Sequence, residues 1–282
     1  MVVSQDWPTV DVAQVRSEEG WVVVCWNANG VRGRIKDGTL RAFLAANRNA
    51  DVMGLTELKA TAKILNGVPE WRDLLTEFGW QYCVGHLSAD VDLMRGAHGV
   101  AWFSKTPMER IMVGMEASPE WNDEGRFCAA DLGWALVVLV YAPCTDGSEK
   151  RDNRRTLFCK AMRTEVGKIY KRAKRKGIPL LVCGDLNGVE GQHDVQMPGG
   201  GEYTGPGATW EDGQVLRDLR NMGCVDAYVQ THGDGYWKNG RHFTWKGSEV
   251  FARARGGPIR QRIDCIWLSE GVVALSCKVI PG

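Results

Sequence analysis

Short apolar runs that stop abruptly on a carboxylate or a side-chain amide constrain this chain more than any other feature. Trp21 to Trp26 ends on Asn27-Ala28-Asn29-Gly30, and Val52 to Leu55 ends on Thr56-Glu57-Leu58-Lys59. Pro179 to Cys183 ends on Gly184-Asp185-Leu186-Asn187-Gly188, and Asp264 sits within the apolar run Ile263 to Leu268. Runs of roughly four to eight apolar residues have the length of buried strands. An ionised group cannot follow such a strand into an apolar interior without a partner. The strand ends are therefore where this chain must bring its polar groups out.

Between these runs lie helical patterns. Leu40, Phe43 and Leu44 recur at helical spacing in Thr39 to Asn47, with Asp37 placed to cap the helix. Glu70 to Phe78 and Leu216 to Met222 also suit helices. The longest helix is expected over Asp152 to Lys176, with Leu157, Phe158, Ala161, Met162, Val166, Ile169 and Tyr170 as its apolar stripe and Gly177 as its stop. Further strands are expected at Gln81 to Gly85, Gly99 to Ser104 and Phe243 to Trp245. A hairpin is expected of Arg126 to Leu132 with Trp134 to Tyr141, joined at Gly133. Gly188 to Thr209 reads as a long surface loop. No internal repeat or interdomain linker interrupts this order, so the 282 residues predict an N-terminal arm over 1–20 and one domain over 21–282. Mixed strands and helices of this kind favour an α/β sandwich.

Composition narrows the partners. Lys and Arg number 35 against 34 Asp and Glu, a net charge of +1, so any nucleic-acid binding must rest on a local surface. The segment Lys150 to Lys176 is such a basic stretch. Its charges suit either a phosphate backbone or the solvated side of a packed helix; the latter reading leads for Lys171 to Lys176, while Arg151, Arg154 and Arg155 stay open. No apolar run reaches the roughly 20 residues of a membrane span, and the first residues lack a signal core. The nine cysteines are scattered singly, as expected of free thiols in an intracellular protein.

Taken one at a time, the strand-end groups have ordinary explanations. Asp185-x-Asn187-Gly188 is a common turn sequence, Glu57 could be solvated, and Asp264 could pair with Arg260 or Arg262. Together they suit a hard cation: open α/β sheets bind ligands beyond their strand ends, and Mg²⁺ prefers oxygen donors.

The order of the motifs also resembles a known superfamily. WNANG (Trp26 to Gly30), LTELK (Leu55 to Lys59), GVAWFSK (Gly99 to Lys105), EGRF (Glu124 to Phe127), YAPC (Tyr141 to Cys144), GDLN (Gly184 to Asn187), FTW (Phe243 to Trp245) and RID (Arg262 to Asp264) follow one another as in the endonuclease/exonuclease/phosphatase superfamily. Within it the chain resembles the exonuclease III-type abasic-site endonucleases and the endonuclease domains of LINE-type retrotransposons, over about residues 21 to 280. A helix beginning at Lys36 is part of that likeness.

The resemblance implies a four-layer α/β/β/α sandwich of DNase I type and hydrolysis of DNA phosphodiesters with Mg²⁺, or Mn²⁺ in its place. By position, Glu57 is the main metal carboxylate, with Asn27 and Asn29 beside it. Asp185 positions or deprotonates the attacking water, Asn187 helps hold it, and Tyr141 donates to developing charge. Asp264 matches a carboxylate that orients a histidine. Arg32, Lys59 and Trp245 are the expected nucleic-acid contacts, although Trp245 also reads as a core residue. His98 and His193 are expected to lie away from the site. DNA is the expected partner of a monomeric, non-membrane protein, alone or within a longer retroelement protein.

Two departures qualify the resemblance. Cys144 stands where the abasic-site branch carries Asn. The family's closing Ser-Asp-His segment and last strand are expected to be missing before Gly282. The alternatives are therefore a phosphodiesterase acting on RNA or a small phosphoester, and a catalytically impaired copy that still binds nucleic acid.

Overall fold

Strands covered on both faces need apolar side chains at every position, and the longest apolar runs are used in this way. The computed structural model describes residues 20–89, 98–247 and 257–279, so the expected N-terminal arm lies, up to residue 19, outside the described residues. The chain divides into two compact units, Met1–Tyr141 and Ala142–Gly282. Among the described residues no helix is long and apolar enough to cross a membrane. The nine cysteines are free thiols.

In the first unit, β1 (Val23–Asn27), β2 (Val52–Thr56), β3 (Tyr82–His86) and β4 (Val100–Ser104) form a sheet in the order β1-β2-β4-β3. The parallel pairing of β1 with β2 requires a crossover, which α1 (Val31–Lys36) and α2 (Thr39–Ala46) supply. Two further helices, α3 (Ala62–Asn66) and α4 (Pro69–Glu77), lead to β3. A second, antiparallel sheet contains β5 (Arg110–Val113), β6 (Phe127–Asp131) and β7 (Leu136–Tyr141), of which β6 and β7 are the expected hairpin.

Leu40 and Leu44 of α2 and Leu74 and Leu75 of α4 share one core with Met53, Leu55 and Phe103 of the first sheet. Gly54 points to that sheet's other face. A side chain there would come within 2.8 Å of Leu139 and 3.0 Å of Trp102, so its absence lets the two sheets of this unit pack closely. Two local expectations change. Lys36 ends α1 rather than starting a helix, because Gly38, with φ 77°, breaks the path before α2. Asp37 accepts the Thr39 amide, but Gly38 is the capping residue.

The second unit opens with α5 (Glu149–Lys176) and β8 (Leu180–Asp185). Phe158, Ala161, Met162, Val166 and Ile169 are buried, and Gly177, with φ 66°, ends the helix. Leu157 leaves the predicted stripe and is 58% exposed. It lies one residue, about 100° of helix turn, from Phe158, on a side shared with exposed Lys160 and Thr164. Lys171, Lys174, Arg175 and Lys176 are exposed, as the solvated-face reading expects.

After β8 come β9 (Val195–Gln196), α6 (Gln214–Asn221), β10 (Val225–Asp226), α7 (Ala227–His232), β11 (Trp245–Lys246), β12 (Arg260–Gln261) and β13 (Asp264–Leu268). β13 pairs antiparallel with both β8 and β10. In the ribbon β9-β12-β11, β9 gives structure to part of the expected Gly188 to Thr209 loop, and β11 overlaps the strand expected at Phe243 to Trp245.

Arg262 ties these pieces together. It bonds Asp194 through Nε (2.8 Å) and Nη2 (3.2 Å), and Asp226 through Nη1 (2.6 Å). Asp194 also accepts the Tyr236 hydroxyl at 2.7 Å, and Asp226 caps α7. All three charged groups are almost fully buried. Breaking a buried pair by removing one partner strands the other charge in the interior. Arg262→Met should therefore destabilise the protein by about 3–5 kcal/mol in urea denaturation; a loss under about 1 kcal/mol would show that the network is not a buried ion cluster.

Candidate active site

The ends of β1 and β2 turn in an uncommon way. Among the described residues the non-glycine positions with positive φ are Asn29 (46°), Glu57 (49°), Lys59 (48°) and Asn187 (47°), all four of them predicted site residues. Asn adopts this conformation readily, whereas Glu and Lys do so at a cost of about 1–3 kcal/mol. The surroundings hold the turn in place. Gly30 N–H donates to Glu57 O at 2.8 Å and Val31 N–H to Leu58 O at 3.0 Å. On the other side, Leu58 N–H donates to Gly99 O at 3.1 Å and Lys59 N–H to His98 O at 2.8 Å.

This backbone gathers five side chains of the first unit. Asn27 Nδ2 donates to Glu57 Oε1 at 3.0 Å, and Lys59 Nζ lies 2.9 Å from Glu57 Oε2 and 2.5 Å from Asn29 Oδ1. Asn27 Oδ1 accepts the Asn29 amide at 3.0 Å. Tyr141 donates to the Glu57 carboxylate as well. Burial by itself raises the proton affinity of Glu57, but the hydrogen bonds from Lys59, Asn27 and Tyr141 and the charge of Lys59 outweigh it. Glu57 titrates below the ordinary carboxylate range as a result.

A buried guanidinium fixes Tyr141. Arg126 Nε donates to Glu124 Oε2 at 2.6 Å and Nη1 to the Tyr141 carbonyl at 3.1 Å, while its guanidinium lies 4.9 Å from the Tyr141 ring centroid. Nη2 contacts His98 Nε2 at 2.9 Å. Because Arg126 can only donate, His98 accepts at Nε2. Gly125 allows this arrangement, since a side chain there would come within 2.6 Å of the Leu87 and Ser88 backbone. The motif EGRF is thus the support of Tyr141. His98, expected away from the site, packs against Tyr141 with ring centroids 5.7 Å apart.

In the second unit the end of β8 carries Asp185 and Asn187. Asp185 is buried, and its Oδ1 accepts the Asn187 amide at 2.9 Å. Asn187 Nδ2 donates to Ala142 O at 2.9 Å, and Ala142 N–H donates to Asp185 O at 2.9 Å. Asp264 stands directly opposite Asp185 in the β13–β8 register, so the two carboxylates share a face. Thr244 Oγ1 accepts the amides of Ile263 and Asp264, both at 3.0 Å, which joins Asp264 to the segment leading into β11.

Arg155, whose charge suits either a phosphate contact or a solvated face from the sequence alone, is fully buried. It pairs with Asp212 (Nε to Oδ1, 3.2 Å) and donates to Pro143 O at 2.7 Å and Leu186 O at 2.6 Å. It is a brace for the Asp185–Asn187 turn. Arg32 is exposed on α1. Trp245 is 43% exposed, which removes its reading as a core residue.

The model of the Endonuclease/Exonuclease/phosphatase family matches residues 24–282. The chain belongs to that family. An exodeoxyribonuclease of Bacillus subtilis is 23% identical over 250 residues, covering 89% of this chain and 88% of its own. The DNA repair nuclease APEX1 of Danio rerio is 24% identical over 260 residues, covering 90% and 75%. Among solved structures, the 3′ phosphatase NExo from Neisseria, bound to a product DNA hairpin, superposes with TM-score 0.69 at 22% identity, covering 88% and 86%. An AP endonuclease from Archaeoglobus fulgidus gives TM-score 0.67 at 19% identity, covering 89% and 87%. The mixed α/β, DNase I-like fold expected from the sequence is the one these structures share with this chain.

Nucleases of the family generally work with divalent metals. Among the described residues no group of three or more His, Cys, Asp or Glu could hold a metal ion. The Glu57 cluster instead offers one ionised carboxylate and amide oxygens, the hard donors that Mg²⁺ accepts when waters and phosphate complete its shell. The Lys59 ammonium already sits between Glu57 Oε2 and Asn29 Oδ1, which marks this as a place where positive charge is held. The residues fit such a cation, with Glu57, Asn27 and Asn29 as the groups that would hold it.

Lys59 leads the partners that keep Glu57 ionised, and the sign of its effect is fixed. A carboxylate with a lowered folded pKa stabilises the fold above its unfolded pKa, and that stability is lost as pH falls through the folded value. Lys59→Met should move the Glu57 titration upward, narrowing that window, as read by carboxyl-carbon NMR. An unchanged Glu57 titration in the variant would contradict this account of the cluster.

Proposed function

We propose that this chain is a Mg²⁺-dependent endonuclease that nicks DNA, in the manner of the abasic-site enzymes. The observation that carries the reading is Glu57, kept ionised on a strained strand end by Asn27, Lys59 and Tyr141. A structural carboxylate needs no such conformation, whereas strained backbone concentrates at functional sites. The two relatives, an exodeoxyribonuclease and a DNA repair nuclease, point the same way.

In this reading Glu57, Asn27 and Asn29 hold the cation, which when bound neutralises charge on the phosphate. Asp185 accepts a proton from the attacking water, and the Asn187 amide orients that water. Asp264, on the same face as Asp185, adds acceptor character beside it. Tyr141, held by Arg126, directs its hydroxyl to oxygen that gains charge in the transition state. Arg32 and Lys59 contact phosphate, and Trp245 offers an exposed aromatic face to a nucleotide. Cys144 is exposed in the place where an amide was expected, so recognition of a missing base relies on other groups.

The test is nicking of supercoiled plasmid, intact and carrying abasic sites, across a Mg²⁺ titration, with Mn²⁺ as the substitute. Wild-type protein should cut the abasic plasmid only with added metal. Glu57→Gln and Asp185→Asn should each lower kcat by about 10²–10⁴-fold. No cleavage of either plasmid at any metal concentration overturns the proposal, as does undiminished activity of Glu57→Gln.

A further inference from the structure

Trp210 is the most exposed of the large apolar aromatics on the described surface, with 70% of its area in solvent. It is nevertheless held. The Arg217 guanidinium lies 3.6 Å from its ring centroid, Arg217 Nη2 donates to the Trp210 carbonyl oxygen, and the same nitrogen donates to Gln214 Oε1 at 3.2 Å. Gly213 leaves room for that clamp, because a side chain there would come within 2.7 Å of Arg217 Nη1. A large apolar ring fixed in place while left in water forgoes the benefit of burial. Such residues serve as anchors for a partner.

The turn that carries Trp210 is fastened to the Asp185–Asn187 turn. Thr209 Oγ1 donates to Asp212 Oδ2 at 2.9 Å, and the Asp212 carboxylate is fully buried against Arg155, Thr145 and the Gly207 amide. Arg155 Nη2 donates at once to Asp212 O at 2.8 Å and to Leu186 O at 2.6 Å. A side chain on Gly188 would come within 2.2 Å of Asp212 O, so the two turns lie backbone against backbone. Whatever stacks on Trp210 is thereby placed at a fixed offset from Asp185 and Asn187.

From this geometry we infer that Trp210 and Arg217 form a stacking platform for an unpaired nucleobase of the DNA strand. The inference rests on the proposed action at a DNA phosphodiester and adds to it a preference for the structure of the substrate. Every base has a π-face, and the guanidinium behind the indole adds a cation to the stack. Bases inside a continuous duplex have both faces covered by their neighbours. The platform therefore favours gapped, frayed or flipped nucleotides over fully paired DNA.

The test is fluorescence anisotropy in EDTA, which prevents cutting, with labelled DNA either fully paired or carrying a two-nucleotide gap opposite unpaired bases. Wild-type protein should bind gapped DNA more tightly. Trp210→Ala should weaken gapped binding by about tenfold or more and leave paired binding unchanged, and Trp210→Phe should recover most of the loss. The inference is overturned if Trp210→Ala keeps the wild-type preference, or if it loses affinity equally for both DNAs. The first result, in a protein that still nicks plasmid, removes the platform alone. A wild-type protein that binds neither DNA removes the proposed function along with it.

Discussion

The left-handed backbone at Glu57 is the constraint on which the first unit's chemistry depends. At the end of a fully buried strand, an extended residue would continue into the next layer of apolar packing. The positive φ at Glu57 and again at Lys59 turns the chain, and the amides of Gly30, Val31, Leu58 and Lys59 lock it. Asn27 and Lys59 then meet one carboxylate, and Asn29 joins them through its bonds to Lys59 and Asn27. The parallel register, Asn27 opposite Thr56, is what makes this meeting possible. The adverse conformational energy is offset by four backbone hydrogen bonds and by the burial of the strands beneath.

The second unit solves a similar problem with buried charges. Arg155 and Arg262 are interior guanidinium groups: Arg155 satisfies the Asp212 carboxylate and the carbonyls of Pro143, Leu186 and Asp212, and Arg262 satisfies the carboxylates of Asp194 and Asp226. Ion pairs of this kind contribute little net stability against an apolar alternative, but they penalise any rearrangement that separates them. They fit a role in fixing loops. Arg155 fixes the turns that hold Asp185, Asn187 and Trp210, and Arg262 fixes the 3-10 turn at Gln192–Asp194 to the start of α7.

Much of this was legible in the sequence, and the reason is periodicity. β2, β4, β7, β8 and α5 are long or strongly apolar, so their patterns overwhelm local ambiguity. The candidate site residues stood out because polar groups that end an apolar run break that pattern conspicuously. Other features were hidden for physical reasons. Leu157 looked like stripe because apolar identity does not encode a helix face one residue off. Arg126 stood out only as part of EGRF, and His98 was expected elsewhere: both hold Tyr141 through contacts that exist only after β6, β7 and the segment before β4 come together. Arg155 sat among other basic residues of α5, where only burial separates a brace from a solvated charge. Trp210 was one of twelve tryptophans, with nothing in its neighbours to mark exposure.

In the proposed function, the Glu57 turn is a cation site in the service of phosphodiester hydrolysis. Its most direct measurement is a Mg²⁺ titration of isotopically labelled protein, followed by amide chemical shifts without substrate. The account predicts saturable shifts concentrated at Asn29, Gly30 and Glu57 to Lys59, and their loss in Glu57→Gln. Shifts that are absent at this turn, or that persist unchanged in the variant, would contradict it.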